Sequence, residues 1–440
     1  MTPVLIILFI IGYAAIALEH NIKINKTASA LITGVVLWVI YIISQSDTHL
    51  VNEELLKHLG DISSILFFLM GAMTIVELID SYNGFEVITE KIKATKKVTL
   101  LWIIGFLTFF LSALLDNLTT TIVMISLLRK LVKEKDQRLF YVGIVVVAAN
   151  AGGAWSPIGD VTTTMLWIGG QISAFNIISR IFLPSLISLV VPLAVLSATM
   201  KGSVERPFLA TETYQQLSKK QQTGILILGL SMLIMVPIFK TVTHLPPFMG
   251  MMLGVGILWI VTDILHRNHT ATISIEGGNE NVAPKGRTVV DVLTRIDIPS
   301  ILFFLGILLA VASLEVSGIL HQLSTFLDEK VGNLNAIVMS IGLASAIVDN
   351  VPLVAAAQGM YSLAAYPLDS YIWEFLAYSA GTGGSILIIG SAAGVAAMGM
   401  EKINFFWYIK KISWLALIGY IAGALFYILE YYITHGVFYH

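Results

Sequence analysis

Apolar stretches of helical length follow one another along this chain, and only short polar breaks separate them. Hydrophobic residues make up 56% of the 440 residues and charged residues 12%, about half the charged share of a soluble domain. A helix needs roughly 20 apolar residues to cross a bilayer, so there is room for roughly ten to thirteen crossings. The runs are continuous rather than alternating, which excludes a β-barrel. The sequence therefore predicts an all-α polytopic membrane protein and excludes a soluble or disordered chain.

The apolar segments differ in length, and the differences indicate which of them cross the membrane. They are, roughly, 3–19, 28–45, 62–80, 98–115, 118–132, 139–170, 179–200, 223–240, 247–265, 298–318, 334–348, 351–361, 372–397 and 412–434. The segments 118–132 and 351–361 are too short to cross comfortably. The segments 139–170 and 372–397 are long and are interrupted by glycines. The first segment has no basic leader and no small-residue cleavage site, so we expect a retained span rather than a signal peptide.

The basic residues predict the topology. Six loops hold 22 of the 26 Lys and Arg residues, and placing all six in the cytoplasm satisfies the positive-inside rule. These loops are 20–26, 81–98, 129–138, 201–222, 265–297 and 398–411. The segment between the second and third loops must then enter and leave on the cytoplasmic side, as a re-entrant hairpin with its tip near Asp116. By the same parity, a second hairpin enters from outside with its tip near Asp349. The predicted topology therefore has ten crossings and two opposed hairpins, and both termini lie outside the cytoplasm.

The second half of the chain repeats the order of features in the first. Three pairs of segments match at nearly constant spacing: 61–68 with 297–304, 115–117 with 348–350, and 152–153 with 383–384. The predicted topology gives the two copies opposite orientations, and inverted repeats with broken helices are typical of secondary transporters.

We therefore divide the chain into two repeats, scaffold spans and a linker. Repeat 1 is 61–200, with a first hairpin (98–132) and a first broken helix (139–170), and repeat 2 is 298–440, with a second hairpin (334–361) and a second broken helix (372–397). The scaffold spans are 1–60 and 201–264, and a flexible cytoplasmic linker covers 265–297.

Three aspartates are predicted to lie deep in the bilayer, where an ionised side chain is energetically unfavourable. An ionised Asp at the bilayer centre costs about 2.5–3.5 kcal/mol on insertion scales, so it needs a partner or a role. No Lys or Arg is predicted deep in a span, and all nine His lie in loops or near span ends. We therefore expect a metal cation or a proton to neutralise Asp116, Asp160 and Asp349.

The side chains near these aspartates suit a small hard cation, which prefers carboxylate, amide, hydroxyl and free backbone carbonyl oxygens. The predicted cation- and proton-binding residues are Asp116, Asn117, Thr120, Asn150, Ser156, Asp160, Thr162, Thr163, Ser345, Asp349, Asn350 and Ser385, with Na⁺ itself at Asp116, Asn117, Asn150, Asp160 and Asn350. Oxygen ligands are denser in repeat 1, so we expect the main site there. A buried carboxyl group favours its proton, whereas a bound cation favours the ionised form, so proton and cation compete for the same oxygens.

Structural roles for the same residues remain open. Aspartate and asparagine at the hairpin tips can cap the following helix, and threonines can bond back to their own helix. Polar residues at the first break can satisfy free backbone groups, and small serines can serve helix packing. Glu77 and Glu315 end the spans that lead to the hairpins; they are possible proton relays, with a place at the water interface as the alternative.

The stretches 115–124, 150–165, 344–352 and 381–394 resemble the NhaD-type sodium/proton antiporters of the ion transporter superfamily. The resemblance covers roughly 61–401. It implies a homodimer with a scaffold part, and a transport part of hairpins and broken helices that moves as an elevator. It also implies that Li⁺ can replace Na⁺, and a role in alkaline pH and salt tolerance. By motif match it assigns ion handling to Asp116, Asn117, Asn150, Asp160, Thr162, Thr163, Ser345, Asp349, Asn350 and Ser385.

We therefore expect a Na⁺ (or Li⁺)/H⁺ antiporter of a bacterial-type inner membrane, with no cofactor and no enzymatic activity. The sequence has no P-loop, H-E-x-x-H or G-x-S-x-G motif, which argues against nucleotide-driven pumping and intramembrane hydrolysis. A net charge of −2 gives no reason to expect nucleic acid. The alternatives are a Na⁺-coupled carrier of dicarboxylate or arsenite, and a passive cation channel. Dicarboxylate carriers of the superfamily have Ser-Asn-Thr at their tips, whereas the Asp-Asn tips here attract a cation.

Overall fold

The computed structural model describes residues 2–89, 91–205, 218–275 and 288–436. Within these ranges the regular structure is helical, and the only strand-like contact is an isolated bridge between Lys96 and Ser203. The helices are Thr2–Ala17, Glu19–Ile22, Lys26–Ile43, Thr48–Ser81, Glu86–Thr89, Lys97–Ser112, Asn117–Leu131, Lys135–Ala154, Val161–Ile168, Ala174–Thr199, Lys219–Thr243, Pro247–Ile275, Val289–Leu293, Ile298–Val316, Ile319–Lys330, Leu334–Ala344, Asn350–Met360, Tyr371–Gly383, Ala392–Glu401, Phe405–Tyr408 and Trp414–His435, with a π-helical turn at Ile409–Ser413. The predicted all-α polytopic fold is confirmed.

Seven helical segments in the described part of the chain are long and apolar enough to cross a membrane. They are Lys26–Ile43, Thr48–Ser81, Ala174–Thr199, Lys219–Thr243, Pro247–Leu265, Ile298–Val316 and Phe405–His435. The helix Thr2–Ala17 is apolar but shorter. These eight helices and the two broken helices correspond to the ten crossings predicted from the sequence.

The first hairpin and the first broken helix are interrupted where the sequence predicts. The hairpin consists of Lys97–Ser112 and Asn117–Leu131, and the broken helix consists of Lys135–Ala154 and Val161–Ile168. The break in the first broken helix, residues 155–160, follows Gly152 and Gly153 and contains Pro157. Glycine and proline weaken a helix, and the backbone carbonyls freed at the break need other partners.

The second hairpin and the second broken helix have the same construction. The hairpin consists of Leu334–Ala344 and Asn350–Met360, and the broken helix of Tyr371–Gly383 and Ala392–Glu401. Each of the four interruptions ends at a residue whose side chain caps the following helix, and three of the four caps are aspartates.

Three segments differ from the predicted bounds. The helix Thr48–Ser81 begins well before the predicted span start at 62. The helix that begins at Pro247 continues to Ile275, beyond the predicted span end at 265, and Ile319–Lys330 forms a helix that the hydropathy pattern does not indicate because it carries His, Asp, Glu and Lys. In the predicted linker 265–297, residues 276–287 lie outside the described part, as do residues 206–217 of the loop 201–222.

The chain divides into two compact units. The first unit, Met1–Ser63, Ala94–Pro207 and Pro299–His440, contains both hairpins and both broken helices. In this unit, Ala174–Thr199 packs along Trp414–His435. The second unit is Ser64–Lys93 and Phe208–Ile298, and in it Lys219–Thr243 packs against the helix that begins at Pro247.

Each hairpin packs against the broken helix of its own half through glycine. A Cβ atom on Gly152 would collide with the carbonyl oxygen of Phe109, and one on Gly383 would collide with the carbonyl oxygen of Gly342. Hydrogen bonds nearby are also equivalent: the Ser112 hydroxyl donates to the carbonyl of Ala149 at 2.6 Å, and the Ser345 hydroxyl donates to that of Ala380 at 3.1 Å. The two halves of the chain therefore make the same helix contacts with the same residue types.

The hairpins also cross to the opposite half. The second helix of the first hairpin, Asn117–Leu131, packs against Ala392–Glu401, and the second helix of the second hairpin, Asn350–Met360, packs against Val161–Ile168. These crossings bring the two tips and the two breaks into one region of the first unit.

Candidate functional site

Asp116 shapes the tip of the first hairpin. Its Oδ1 accepts the Thr119 backbone N–H at 2.8 Å, and its Oδ2 accepts the Thr119 hydroxyl at 2.7 Å. The capping role that the sequence left open is therefore present. The backbone of Asp116 has φ = 87°, a region that costs a non-glycine residue about 1–3 kcal/mol. The surrounding contacts hold this strained tip in place.

Asn117 connects the first tip to the first broken helix. Its side-chain Nδ2 donates to Asn150 Oδ1 at 3.1 Å and to Asp160 Oδ2 at 3.0 Å. The other oxygen of Asp160 accepts the backbone N–H and the hydroxyl of Thr162, both at 3.0 Å. Asp160 is only 2% exposed, and Asn150 is fully buried.

Asn150 extends this network into the other half of the molecule. Its Nδ2 donates to the Ser391 hydroxyl at 2.9 Å and to the Val146 carbonyl at 3.0 Å. Ser391 in turn caps the helix Ala392–Glu401 by accepting the Gly394 N–H at 3.2 Å. One chain of polar contacts thus joins the first hairpin and both broken helices. Ser391 is a member of this site that the sequence analysis did not select.

The tip of the second hairpin has fewer polar partners. Asp349 caps its helix through the Val351 N–H at 3.2 Å. The Nδ2 atom of Asn350 is buried and has no hydrogen-bond partner in the described part of the chain. The positions equivalent to Asn150 and Asp160 are Gly381 and Ser391, which explains the difference, because a glycine offers no side-chain acceptor. The first tip therefore has more polar side-chain contacts than the second, and the location of the main cation site in repeat 1 stays a prediction.

The expectation that no basic side chain reaches these aspartates is wrong for Asp349. The Nζ atom of Lys26 lies 3.8 Å from Asp349 Oδ2 and 4.5 Å from the ring centroid of Phe303. Lys26 begins the helix Lys26–Ile43, and its long side chain carries the ammonium group to the tip. By contrast, no Lys or Arg of the described ranges lies within 4.0 Å of the Asp116 or Asp160 carboxylate.

The three aspartates form one electrostatic group. Asp160 is close enough to both Asp116 and Asp349 for their charges to interact. No three His, Asp or Glu side chains of the described residues are placed to ligate one metal ion together. A cation bound here would therefore need amide, hydroxyl or backbone oxygens beside a carboxylate, and Asn117, Asn150 and the tip carbonyls offer them.

The predicted hydroxyl ligands have different partners, and the Thr162 hydroxyl donates to the Asp160 carboxylate, as described above. Four of them donate to backbone carbonyls: Ser156 to Ala113 at 2.5 Å, Thr163 to Ala154 at 3.4 Å, Ser345 to Ala380 at 3.1 Å and Ser385 to Thr382 at 2.7 Å. Thr120 differs, because its buried hydroxyl has no hydrogen-bond partner among the described residues. Thr120 is therefore the predicted hydroxyl that is most available to a ligand.

The two predicted relay glutamates have different surroundings. Glu77 belongs to the second unit, where its Oε1 lies 3.6 Å from Arg295 NH1. Glu315 belongs to the first unit, is exposed and lies beside Gly359 of the second hairpin. A relay role for either residue stays a prediction.

A buried ion cluster, which the sequence analysis missed, ties the same segments together at their other ends. Glu401 is 3% exposed, and its two oxygens bind Arg129 at 2.7 Å and Arg138 at 3.0 Å. These residues end the first hairpin, begin the first broken helix and end the second broken helix. Burial raises the pKa of Glu401, but hydrogen bonds and positive charge from the two arginines outweigh it and hold the pKa below its usual range. All three residues lie in predicted cytoplasmic loops, where charged side chains are expected to be solvated, so no sequence pattern indicated this cluster.

Comparison with known proteins places the chain among transporters. The sequence model of the family described as "Citrate transporter" (CitMHS) matches residues 6–376. "Sodium/proton antiporter 2" of Arabidopsis thaliana is 46% identical over 96% of this chain and 98% of its own length. "Sodium/proton antiporter 1" of the same plant is 49% identical over 95% of this chain and 70% of its own length.

Bacterial relatives match over a similar extent. The "Na(+)/H(+) antiporter NhaD" of Alkalimonas amylolytica is 32% identical over 96% of this chain and 89% of its own length. The resemblance deduced from the tip and break motifs is confirmed, and this chain belongs to the citrate transporter family, among its NhaD-type sodium/proton antiporters.

Proposed function

We propose that the protein exchanges Na⁺ for H⁺ across a membrane, with both ions competing for the carboxylates of Asp116 and Asp160. The observation that carries the proposal is the Asn117–Asn150–Asp160 network, where a buried carboxylate is bound by neutral donors and has no basic partner among the described residues. Relatives named as sodium/proton antiporters over nearly the whole chain support the same reaction.

The chemistry follows from charge. A buried carboxylate without a countercharge is unfavourable, and it can be neutralised by a proton or by a cation. Asp116 and Asp160 also repel each other when both are ionised, so a small cation between the tip and the break would relieve that repulsion. A site that holds either a proton or a cation, and that faces each side of the membrane in turn, performs antiport.

The same charges argue against an anionic substrate. Citrate or a dicarboxylate would meet the carboxylates of Asp116, Asp160 and Asp349 in one region, where like charges repel. Among the residues that the structure describes, Lys26 is the one Lys or Arg within 4.0 Å of any of these carboxylates. We therefore propose that this chain transports a cation, although the matching family is described as a citrate transporter.

The wider transport cycle is also proposed. The hairpins and broken helices form the moving part in an elevator motion, because each hairpin packs against both broken helices. The distribution of Lys and Arg supports termini outside the cytoplasm. We further propose a homodimer in a bacterial-type inner membrane, that Li⁺ replaces Na⁺, and that the chain has no enzymatic activity.

Cation-induced proton release from the purified protein tests the assignment of residues. Adding Na⁺ to weakly buffered wild-type protein should release protons in a saturable manner. Asp116→Asn and Asp160→Asn should each lower the release to about half or less of the wild-type value, since each removes one of two exchangeable protons and also a carboxylate that binds the cation. Asp61→Asn, which alters an exposed carboxylate, is the matched control and should behave as wild type. Unchanged release from Asp160→Asn would remove that residue from the exchange site.

A further inference from the structure

An open cavity of about 700 Å³ lies at the ends of four helices of the first unit, apart from the cation site. Its walls come from the start of Lys97–Ser112, the start of Lys135–Ala154, the end of Ala174–Thr199 and the turn Ile409–Ser413. All four of these ends belong to loops that the positive-inside rule assigns to the cytoplasm. The cavity therefore opens where the cytoplasmic lipid headgroups would be.

Four lysines line the cavity, and one carboxylate faces them. They are Lys97, Lys201, Lys410 and Lys411, with Asp136 as the acidic residue. No acidic side chain of the described residues lies within 4.0 Å of any of these ammonium groups. The cavity thus carries an uncompensated positive charge, which an anion would neutralise.

The remaining walls are apolar. Leu196, Met200 and Leu415 line the cavity together with the rings of Phe140 and Trp414. Trp414 is 45% exposed at the end of its helix, a position where tryptophan is typical of a membrane interface. Ammonium groups beside apolar and aromatic side chains match a ligand that has both a phosphate and hydrocarbon. A free inorganic anion would gain nothing from these apolar walls.

The helix geometry places two of the lysines together. Ile409–Ser413 forms a π-helical turn between Phe405–Tyr408 and Trp414–His435. This turn contains Lys410 and Lys411. Consecutive side chains of a regular helix point in different directions, yet both of these lysines line the cavity. Single π-turns inside helices occur frequently at functional sites.

We propose that this cavity binds the phosphate headgroup of an anionic phospholipid from the cytoplasmic leaflet. The lysines hold the phosphate, and the acyl chains lie along the apolar wall and the helix Trp414–His435. That helix packs on Ala174–Thr199, so the bound lipid joins the ends of both helices. The proposal uses the membrane orientation inferred above but does not depend on the exchanged ions.

Lipid binding to the purified full chain tests the proposal. Native mass spectrometry would follow titration with phosphatidylglycerol, with zwitterionic phosphatidylcholine of the same acyl chains as the reference. We expect preference for phosphatidylglycerol in the wild type. Each lysine near a lipid phosphate contributes about fivefold in affinity, so Lys410→Gln combined with Lys411→Gln should weaken binding about 25-fold.

The matched control removes two lysines from another cavity. Lys23 and Lys402 line a separate open cavity on the same predicted side, so Lys23→Gln combined with Lys402→Gln should retain wild-type lipid affinity. Both double variants should elute as the wild type in gel filtration and retain Na⁺-induced proton release, which separates this proposal from the exchange reaction. Equal loss in both double variants would indicate unspecific attraction and overturn the proposal. Wild-type affinity in the first variant, or displacement of the lipid by equimolar inorganic phosphate, would also overturn it.

Discussion

Lys26 and Asp349 show how one side chain changes the electrostatics of a tip. The ammonium group lies 3.8 Å from the carboxylate, and both side chains are largely shielded, with exposures of 28% and 19%. Asp349 therefore does not depend on a transported cation for its countercharge, unlike Asp116 and Asp160. A cation that approaches Asp349 must compete with this ammonium group.

Lys26→Gln should raise the affinity of the purified protein for Na⁺ about fivefold, because a partly exposed ion pair contributes up to about 1 kcal/mol. Na⁺ titration by calorimetry measures the affinity. Lys26→Arg should restore the wild-type value, and the exposed Lys23→Gln should not alter it. An unchanged or lower affinity of the Lys26→Gln protein would show that the ion pair only holds the tip.

The acidic and amide residues of the site could be identified from the sequence, but their hydrogen-bond and ion-pair partners could not. Asp116, Asn117, Asn150 and Asp160 stand out because polar residues are rare in apolar runs, and the structure brings them together. Lys26 could not be paired with Asp349 from sequence, since the two residues are far apart in the chain and a lysine side chain can turn in many directions.

The hairpins and broken helices depend on close contact between their backbones. Gly152 and Gly383 lie against carbonyl oxygens of the hairpin helices, with no room for a methyl group. Backbone atoms cannot move aside as a flexible side chain can, so a larger residue would separate the hairpin from the broken helix.

Gly152→Ala and Gly383→Ala should each destabilise the protein by about 1–3 kcal/mol, the usual cost of overpacking, and should lower the transport rate. Gly399→Ala is the control, because the helix Ala392–Glu401 leaves open space there and alanine favours a helix by up to about 1 kcal/mol. Thermal unfolding in detergent measures stability. If Gly152→Ala and Gly383→Ala both unfold at the wild-type temperature, the close packing of these glycines against the hairpins is contradicted.

The charges of the Glu401 cluster make the stability of the protein depend on pH. Glu401→Gln should destabilise the protein at pH 7 by about 1.5–3 kcal/mol, because it weakens the charged hydrogen bonds to the largely buried Arg138 and the half-exposed Arg129. The pKa of Glu401 is depressed, so its contribution is complete above the unfolded pKa of about 4.3 and is lost as the pH falls through the folded pKa.

Melting curves between pH 8 and pH 4 measure this dependence. The difference in Tm between wild type and Glu401→Gln should be constant down to about pH 5 and shrink below it. Glu205→Gln, which alters an exposed carboxylate, should melt as wild type throughout. A difference that grows on acidification would have the wrong sign for this cluster.

Helix positions were the most predictable part of the molecule. Hydropathy alone gave a span at 28–45, and the helix is Lys26–Ile43, because apolar length is set by the bilayer. The helix Ile319–Lys330 was missed because its composition is amphipathic and it does not need to cross. Propensity and packing, rather than hydropathy, determine such elements.

The whole molecule is built from two halves with equivalent contacts and different chemistry. Ser112 and Ser345 bind equivalent carbonyls, yet Asp160 in the first half corresponds to Ser391 in the second. The matched segments in the sequence predicted the equivalence. The inverted orientation and the elevator motion remain proposals, since they concern the membrane.

The most direct test of the account is ion exchange by the purified protein in liposomes. With a pH-sensitive dye inside and no initial gradient of protons, addition of Na⁺ or Li⁺ outside should make the lumen alkaline as protons leave. The Asp160→Asn protein should give no response, and the Asp61→Asn protein should respond as wild type. A wild-type protein that ignores both cations but responds to a dicarboxylate or arsenite would contradict the account.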